Sequence, residues 1–365
     1  MTQVLDPSWK ETPAIGTLNK AGRRIPSLDG LRAISISLVF VAHATGTRGF
    51  FRTAALVPLG TAGVQVFFII SGFLITTLLL SEWQSHGRIS LPLFYARRSI
   101  RIFPASYAFI AAVSLFSLAG SLRLTAGDIW RAVTYTTNFW PSHSWYFGHL
   151  WSLSVEEQFY LVWPFLFALS APRRIHWAAI GLLLMAVSFR LLDDLVLSQV
   201  GLGEIVSCWF VRRADGLAMG CLLAVIGPRL LQKQWYIRMF HPIGSFAVLA
   251  SILPLGYFER HVALGGAFAV VLTNAGIAFL IHRCVQRPDD IVGLILNSRL
   301  FCFIGILSYS LYLWQQPFLN RESHSWFCAF PQNILLALAA ALMSYYFVEK
   351  PFLSLRRSLR SQSTA

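Results

Sequence analysis

Apolar positions in this chain do not alternate and do not line one helical face; they run in unbroken blocks of roughly 17 to 25 residues. That is the length of α-helix needed to cross a hydrocarbon core about 30 Å thick. The blocks predict ten transmembrane helices, near 31–48, 62–81, 102–120, 153–170, 176–196, 206–227, 241–257, 262–281, 300–319 and 333–349. The weakest separation lies within 241–281, where Pro254, Gly256, Glu259, Arg260 and His261 interrupt the run. Two helices joined outside the membrane fit that stretch better than one broken helix. The fold class expected is an all-α polytopic membrane protein.

Composition agrees: of 365 residues 56% are hydrophobic and 13% charged, with a mean hydropathy of +0.59, whereas a soluble domain is about a quarter charged. The formal charge of +14 would suit nucleic acid in a soluble chain, but here the basic residues sit in short loops, where topology explains them. With the N-terminus inside, the inner segments collect Lys10, Lys20, Arg23, Arg24, Arg88, Arg97, Arg98, Arg101, Arg173, Arg174, Arg229, Lys233, Arg238, Arg283, Arg287, Arg299, Lys350, Arg356, Arg357 and Arg360. The outer loops hold Arg48, Arg52, Arg123, Arg131, Arg260 and Arg321. Twenty against six places both termini in the cytoplasm of a multi-pass inner-membrane protein. The expected division is a cytoplasmic tail at 1–27, one membrane domain at 28–352 and a basic cytoplasmic tail at 353–365.

No apolar stretch in the first two dozen residues resembles a cleavable signal, so the first span is expected to direct insertion. The five cysteines, Cys208, Cys221, Cys284, Cys302 and Cys328, form no C-x-x-C pair, and neither a metal site nor a disulfide framework is expected.

Chemistry concentrates in a few blocks. In SLDGLRAISISLVFVAH, Arg32 and His43 stand eleven residues apart, about three helical turns and roughly 16 Å, so both face one side at different depths. Ionisable groups inside spans are functional by default; snorkelling of Arg32 and a packing role for His43 are the plainer readings. Gly60, Gly63 and Gly72 near the second span allow close backbone approach, to another helix or to a ligand. In FYARRSIRIFP, Arg97 and Arg101 share a helical face with Arg98 beside them, a cluster suited to phosphates or to anionic lipid.

HLWSLSVEEQFYLVWP brings His149, Trp151, Glu156 and Glu157 to an outer boundary. Ser154 and Glu157 fit a helix capping box, but two adjacent carboxylates exceed what a cap needs. Further on, RRADG places Arg212, Arg213 and Asp215 together, with an ion pair expected between Arg213 and Asp215, while Arg190, Asp193 and Asp194 read as interfacial. Glu349 beside Lys350 reads equally as a helix-end pair or a functional one. The outer loop 121–149, with Trp130, Trp140, Trp145, Tyr146 and two histidines, either anchors in the headgroups or lines a substrate cleft.

Taken in order, R-x10-H, GVQVFFIISGFLI, FYARRSIRIFP, HLWSLSVEEQFYLVWP, RADG, SYSLYLW and VEKP resemble the membrane acyltransferase family three of bacteria, from about residue 28 to 352. The resemblance implies an O-acyltransferase that moves an acyl group, most commonly acetyl in this family, from cytoplasmic acyl-coenzyme A to a hydroxyl beyond the membrane. The acceptor would be a glycan, lipid or small molecule. Arg32, Arg97, Arg98 and Arg101 would hold the donor, and His43, helped by Glu156 or Glu157, would act as general base. Ser71, His149, Trp151, Arg213 and Asp215 would contact substrate, with Arg213 polarising the carbonyl oxygen; a covalent acyl-enzyme on Ser71 or His43 is an open alternative. The sequence departs from the family at Gln315, where a histidine commonly follows SLYLW, and it carries no hydrolase-like domain after the membrane part, so a separate periplasmic partner is expected for any second transfer. The rival reading is a transporter or flippase, against which stand the absence of repeated halves and of paired interrupted spans. A scaffold for other enzymes is the blandest alternative.

Overall fold

The computed structural model describes residues 25–120, 122–140, 144–206, 209–261 and 263–361. The expected N-terminal tail up to Arg24, Cys208, His143 and the last four residues lie outside these, as do the side chains of Arg173, Arg260, Arg356, Arg357 and Arg360. The regular elements among the described residues are all helical: α1 (Pro26–Ala44), α2 (Val57–His86), α3 (Leu91–Leu118), α4 (Ala126–Val133), α5 (Leu150–Leu192), α6 (Phe210–Leu230), α7 (Pro242–His261), α8 (Ala263–Gln286), α9 (Arg299–Phe318), α10 (Gln332–Ser344) and α11 (Lys350–Ser361), with short helical turns between. Among the described residues, five helical segments are long and apolar enough to cross a membrane: Pro26–Ala44, Ala54–His86, Leu91–Leu118, Gly266–Gln286 and Gln332–Leu355.

Helix ends overshoot the apolar blocks because good helix formers flank them. The second helix continues through Ser81–His86 and stops at Gly87, whose φ of 66° is the left-handed turn a glycine supplies. The third starts at Leu91 and absorbs the whole arginine cluster. The run at 241–281 forms two helices, α7 and α8, packed side by side.

The fourth and fifth expected spans share one continuous helical assignment, α5, of 43 residues. A straight rod would set residues 151 and 190 about 58 Å apart. Yet the Arg213 guanidinium lies over the Trp151 ring at 5.2 Å, and Arg190 pairs with Asp215, two residues further along the same helix, at 2.9 Å. Side chains cannot bridge such a gap, so α5 doubles back and forms two limbs, both docked on α6. On the first limb Leu161, Phe165 and Leu169, one stripe at i, i+4 and i+8, are more than half exposed and form an apolar outer face.

Glycines let the central helices touch. A methyl group on Gly72 would meet the Leu217 carbonyl and one on Gly220 the Ile69 carbonyl, which locks α2 to α6; Gly63 lies as tightly against Ser35 of α1. These are the helix–helix contacts that small residues permit.

The loop after α4 departs from the expected outer position. Tyr135 stacks on Phe103 (5.6 Å between centroids) and meets Tyr107 edge-on (6.1 Å), both midway along α3. Thr137, Asn138, Phe147 and His149 are buried with it. The segment is re-entrant, and irregular backbone at that depth persists only where protein or a polar cavity surrounds it.

Candidate active site

Helices α1, α2, α3, α5 and α9 line a partly open cavity of about 90 Å³. Arg32, Arg98 and Arg101 converge on it, and the opposite wall carries Ser71, Glu156 and Tyr160. The polar wall is a hydrogen-bonded chain: the Tyr160 hydroxyl donates to Ser71 Oγ at 3.1 Å, and Ser71 Oγ donates to Glu156 Oε1 at 2.5 Å. Glu156 and Tyr160 share a face because they are i, i+4 on one limb of α5; Ser152, one turn earlier, lines the same wall. Arg98 lies over the Tyr160 ring at 5.0 Å, which fixes its guanidinium by cation–π attraction. Arg32 is tied to Asp29 at 3.2 Å. Three cations thus stand within electrostatic reach of one carboxylate, a surplus of positive charge in a site sheltered from water.

His43 lies on the same continuous helix as Arg32, three turns on, but outside the cavity lining. Its ring meets Trp145 edge-on at 6.2 Å, with Gln315 and Arg321 beside it. The Gln315 side chain hydrogen-bonds the His43 ring, and its amide N–H donates to the Tyr312 carbonyl at 3.4 Å. The Arg321 guanidinium donates to the Ala42 carbonyl at 2.6 Å.

A family profile described as an acyltransferase domain matches residues 25–348. The chain belongs to this acyltransferase family. Among curated relatives of the acyltransferase, O-acetyltransferase OatA of Staphylococcus aureus (strain NCTC 8325 / PS 47) is 31% identical over 360 residues, 90% of this chain and 57% of the relative. Peptidoglycan O-acetyltransferase OatA of Listeria monocytogenes is 29% identical over 371 residues, 92% of this chain and 57% of the relative. YrhL of Bacillus subtilis (strain 168) is 29% identical over 362 residues, 90% and 55% respectively. The chain thus spans little more than half the length of these relatives. No solved structure matches it.

Of the twelve candidate residues in the acyltransferase, the cavity brings together five: Arg32, Ser71, Arg98, Arg101 and Glu156. Arg97 lies outside the lining; Arg98 and Arg101, i and i+3, are the pair that faces in. Glu157 lies outside the lining, near Tyr107, Tyr135 and Tyr309 and within electrostatic reach of Arg98. His149 is buried between Phe109 and Tyr312, and its carbonyl accepts from the Tyr312 hydroxyl at 2.8 Å. Trp151 packs on Phe68 beneath Arg213.

Three sequence readings are corrected. Asp215 pairs with Arg190 rather than Arg213, because residues two apart on a helix point to opposite sides; Arg212 in turn holds Asp193 and Asp194. The Ser154–Glu157 capping box does not form, since α5 begins at Leu150 and Ser154 Oγ donates back to the Leu150 carbonyl at 3.0 Å. Glu349 is buried and accepts from Ser310 Oγ at 3.0 Å, while Lys350 lies over the Tyr346 ring.

The cavity also uses Ser152, Tyr160, Ser308, Tyr309 and Tyr312, which sequence reasoning passed over. Their signal was available: residues 152, 156 and 160 repeat at i, i+4 and i+8, and 308, 309 and 312 lie inside SYSLYLW.

Proposed function

We propose that the acyltransferase transfers an acetyl group from acetyl-coenzyme A on the cytoplasmic side to a hydroxyl of a cell-wall glycan on the other, with the inner membrane as its site and both termini cytoplasmic. The observation that carries this reading is the convergence of Arg32, Arg98 and Arg101 on one sheltered cavity. Guanidinium forks suit phosphate oxygens, and a coenzyme A thioester offers phosphates at one end and the reactive carbonyl at the other. The glycan acceptor is supported by the names of the L. monocytogenes and B. subtilis relatives, which specify peptidoglycan.

In this reading the phosphates sit against the three arginines, and Ser71 and Tyr160 line the way for the pantetheine arm. The thioester carbonyl reaches the level of His43, three turns further along α1. His43 takes the proton of the acceptor hydroxyl as its oxygen attacks the carbonyl carbon. The C–S bond then breaks, the thiolate leaves, and the proton passes to it, so an ester and free coenzyme A result. General base catalysis of this kind is worth roughly 10²–10⁴-fold. Gln315, beside His43, takes the place of the family's usual histidine and can orient the ring.

The test uses the full chain in vesicles with radiolabelled acetyl-coenzyme A and peptidoglycan fragments. His43→Ala is expected to bind the donor as the wild type does and to transfer label at least about 10²-fold more slowly. Wild-type turnover by the variant at equal protein level would remove His43 from the mechanism.

A further inference from the structure

Of the six arginines expected in outer loops, two meet beside His43 without an acid between them. Arg321, in the loop after α9, donates to the Ala42 carbonyl at 2.6 Å, one residue before His43, and stands within electrostatic reach of the His43 ring. Arg52, in the loop between α1 and α2, is its neighbour. A methyl group on Gly46 would touch the Arg321 stem at Cδ and the Arg52 stem at Cγ, each at 3.7 Å. Both arginines are exposed. Neither forms an ion pair among the described residues, and the Arg52 side chain makes no hydrogen bond among them. Glu322 follows Arg321 directly, yet its carboxylate pairs with neither cation.

The two loops are latched to each other. The Phe330 N–H donates to the Arg48 carbonyl at 2.7 Å, the buried Asn333 amide donates to Thr47 Oγ1 at 3.1 Å, and the Phe50 ring packs on Phe330 at 5.2 Å between centroids. Within the first loop the Gly46 N–H closes onto the Phe51 carbonyl at 3.2 Å. The loops therefore hold both cation stems in place and do not splay to relieve their repulsion. The carbonyl end of α1 carries about half a unit of negative charge, which offsets part of Arg321 alone. About one and a half positive charges remain, with every donor of the Arg52 fork unspent.

We propose that Arg52 and Arg321 form an anion subsite at the His43 end of α1 that takes a carboxylate or phosphate group of the acceptor, which makes the acceptor an acidic glycan and not a neutral one. Guanidinium forks match the oxygens of either group. An acceptor tethered by its anion to Arg321 brings a neighbouring hydroxyl toward His43, and orientation of this kind raises the effective concentration of the attacking group. The subsite is separate from the Arg32, Arg98 and Arg101 cluster, three turns away at the other end of the helix. The ligand's role as acceptor rests on the acyl-transfer reading; recognition of its charge does not, and is tested apart from it.

The experiment measures, on the full chain in phosphatidylcholine nanodiscs and without donor, equilibrium binding of three tritiated probes. They are the N-acetylglucosamine–N-acetylmuramic acid disaccharide with its free carboxylate, the same disaccharide with that group as a neutral methyl amide, and the amide carrying a phosphate on its anomeric carbon. The wild type is expected to bind at least one anionic probe about 3- to 10-fold more tightly than the amide, the low end for a charge-assisted bond because Arg52 faces water; the probe that carries the preference identifies the group. Arg52→Gln should abolish the preference while amide binding changes by less than about twofold, within the span of an ordinary surface substitution. Equal binding of all three probes by the wild type, no binding of any, or an equal loss for all three in Arg52→Gln would overturn the subsite. Arg321→Gln should act likewise; if it unfolds by uncapping α1, Arg52→Gln, at an exposed side chain without a bond, decides the matter. A preserved preference with no label passing from acetyl-coenzyme A to any probe would strike the acyl-transfer reading and leave the anion subsite standing.

Discussion

The joint between α5 and α6 gives a sharp test of the architecture. Arg190 and Asp215 meet at 2.9 Å with side chains 7% and 2% exposed. Asp215 has one further bond, accepting from the Gly216 N–H at 2.9 Å, and Arg190 donates to the Arg212 carbonyl at 3.3 Å. Asp215→Ala would take the paired carboxylate away from a buried guanidinium. Removal of one partner from a buried pair costs about 3–5 kcal/mol, roughly 10²- to 10³-fold in the unfolding equilibrium. Removal of both charges together by Arg190→Met and Asp215→Leu should recover most of it, because an apolar pair of similar volume carries no stranded charge. The protein contains its own reporter: Cys221, Cys284 and Cys328 are buried free thiols, so a thiol-reactive dye follows thermal unfolding in detergent. The reasoning fails if the single and double variants are additive within about 0.5 kcal/mol, for then the two groups do not act as a pair and the second limb of α5 is not held to α6 by this contact.

Three further outcomes follow from the packing and the charges. Gly72→Ala, forced against the Leu217 carbonyl, should lose about 1–3 kcal/mol by overpacking, while Gly181→Ala, with nothing within 4 Å, should be neutral or stabilising by up to about 1 kcal/mol; the same thiol assay separates them. Arg98→Gln should weaken acetyl-coenzyme A about 10- to 100-fold through a lost charge-assisted bond of about 1.5–3 kcal/mol, seen as a change in donor affinity with the folded fraction unaltered. In the outer segment, burial would raise the Asp128 carboxyl, but hydrogen bonds from the Thr125 N–H and hydroxyl and from the Ser144 N–H hold it below the ordinary value. Its contribution is therefore complete above the unfolded value of about 3.9 and is lost as pH falls through the lower folded value; the protection of amides in 125–133, taken relative to their intrinsic exchange rates, should hold from pH 7 to about 4 and fall below, and Asp128→Asn should show the reduced protection already at pH 7.

Helices were legible in the sequence wherever apolar runs were long, because hydrophobic length and helix geometry are coupled in a bilayer. Their limits were less so: the polar tails of α2 and the arginines opening α3 are good helix formers and continue the helix beyond the apolar block. Spacing fixes side-chain direction within one helix, as for Glu156 and Tyr160 at i and i+4, although Tyr160 was passed over in the sequence. Partners failed where spacing was ignored, as for Arg213 with Asp215, or where a helix start was misplaced, as for Ser154. The pairing of Arg190 with Asp215 and the descent of Tyr135 to the middle of α3 depend on the reversal of α5 and on a re-entrant loop. Both are tertiary facts that no local period encodes.

That reversal and that loop give the two adjacent glutamates their different surroundings. Consecutive residues on a helix point about 100° apart, so one turn of α5 serves as a wall with a carboxylate on each side. Glu156 faces three arginines and the Ser71–Tyr160 chain; Glu157 lies near Tyr107, Tyr135 and Tyr309, with Arg98 alone of the three arginines in reach. Tyr309 lies between these surroundings, lining the cavity while its hydroxyl donates to the Ile102 carbonyl at 2.8 Å. On this argument, Glu156→Gln and Glu157→Gln should not be equivalent: the first, in the arginine-lined cavity, should change acetyl-coenzyme A affinity and the second should change it little, and equal effects of both would mean that the two carboxylates share one surrounding.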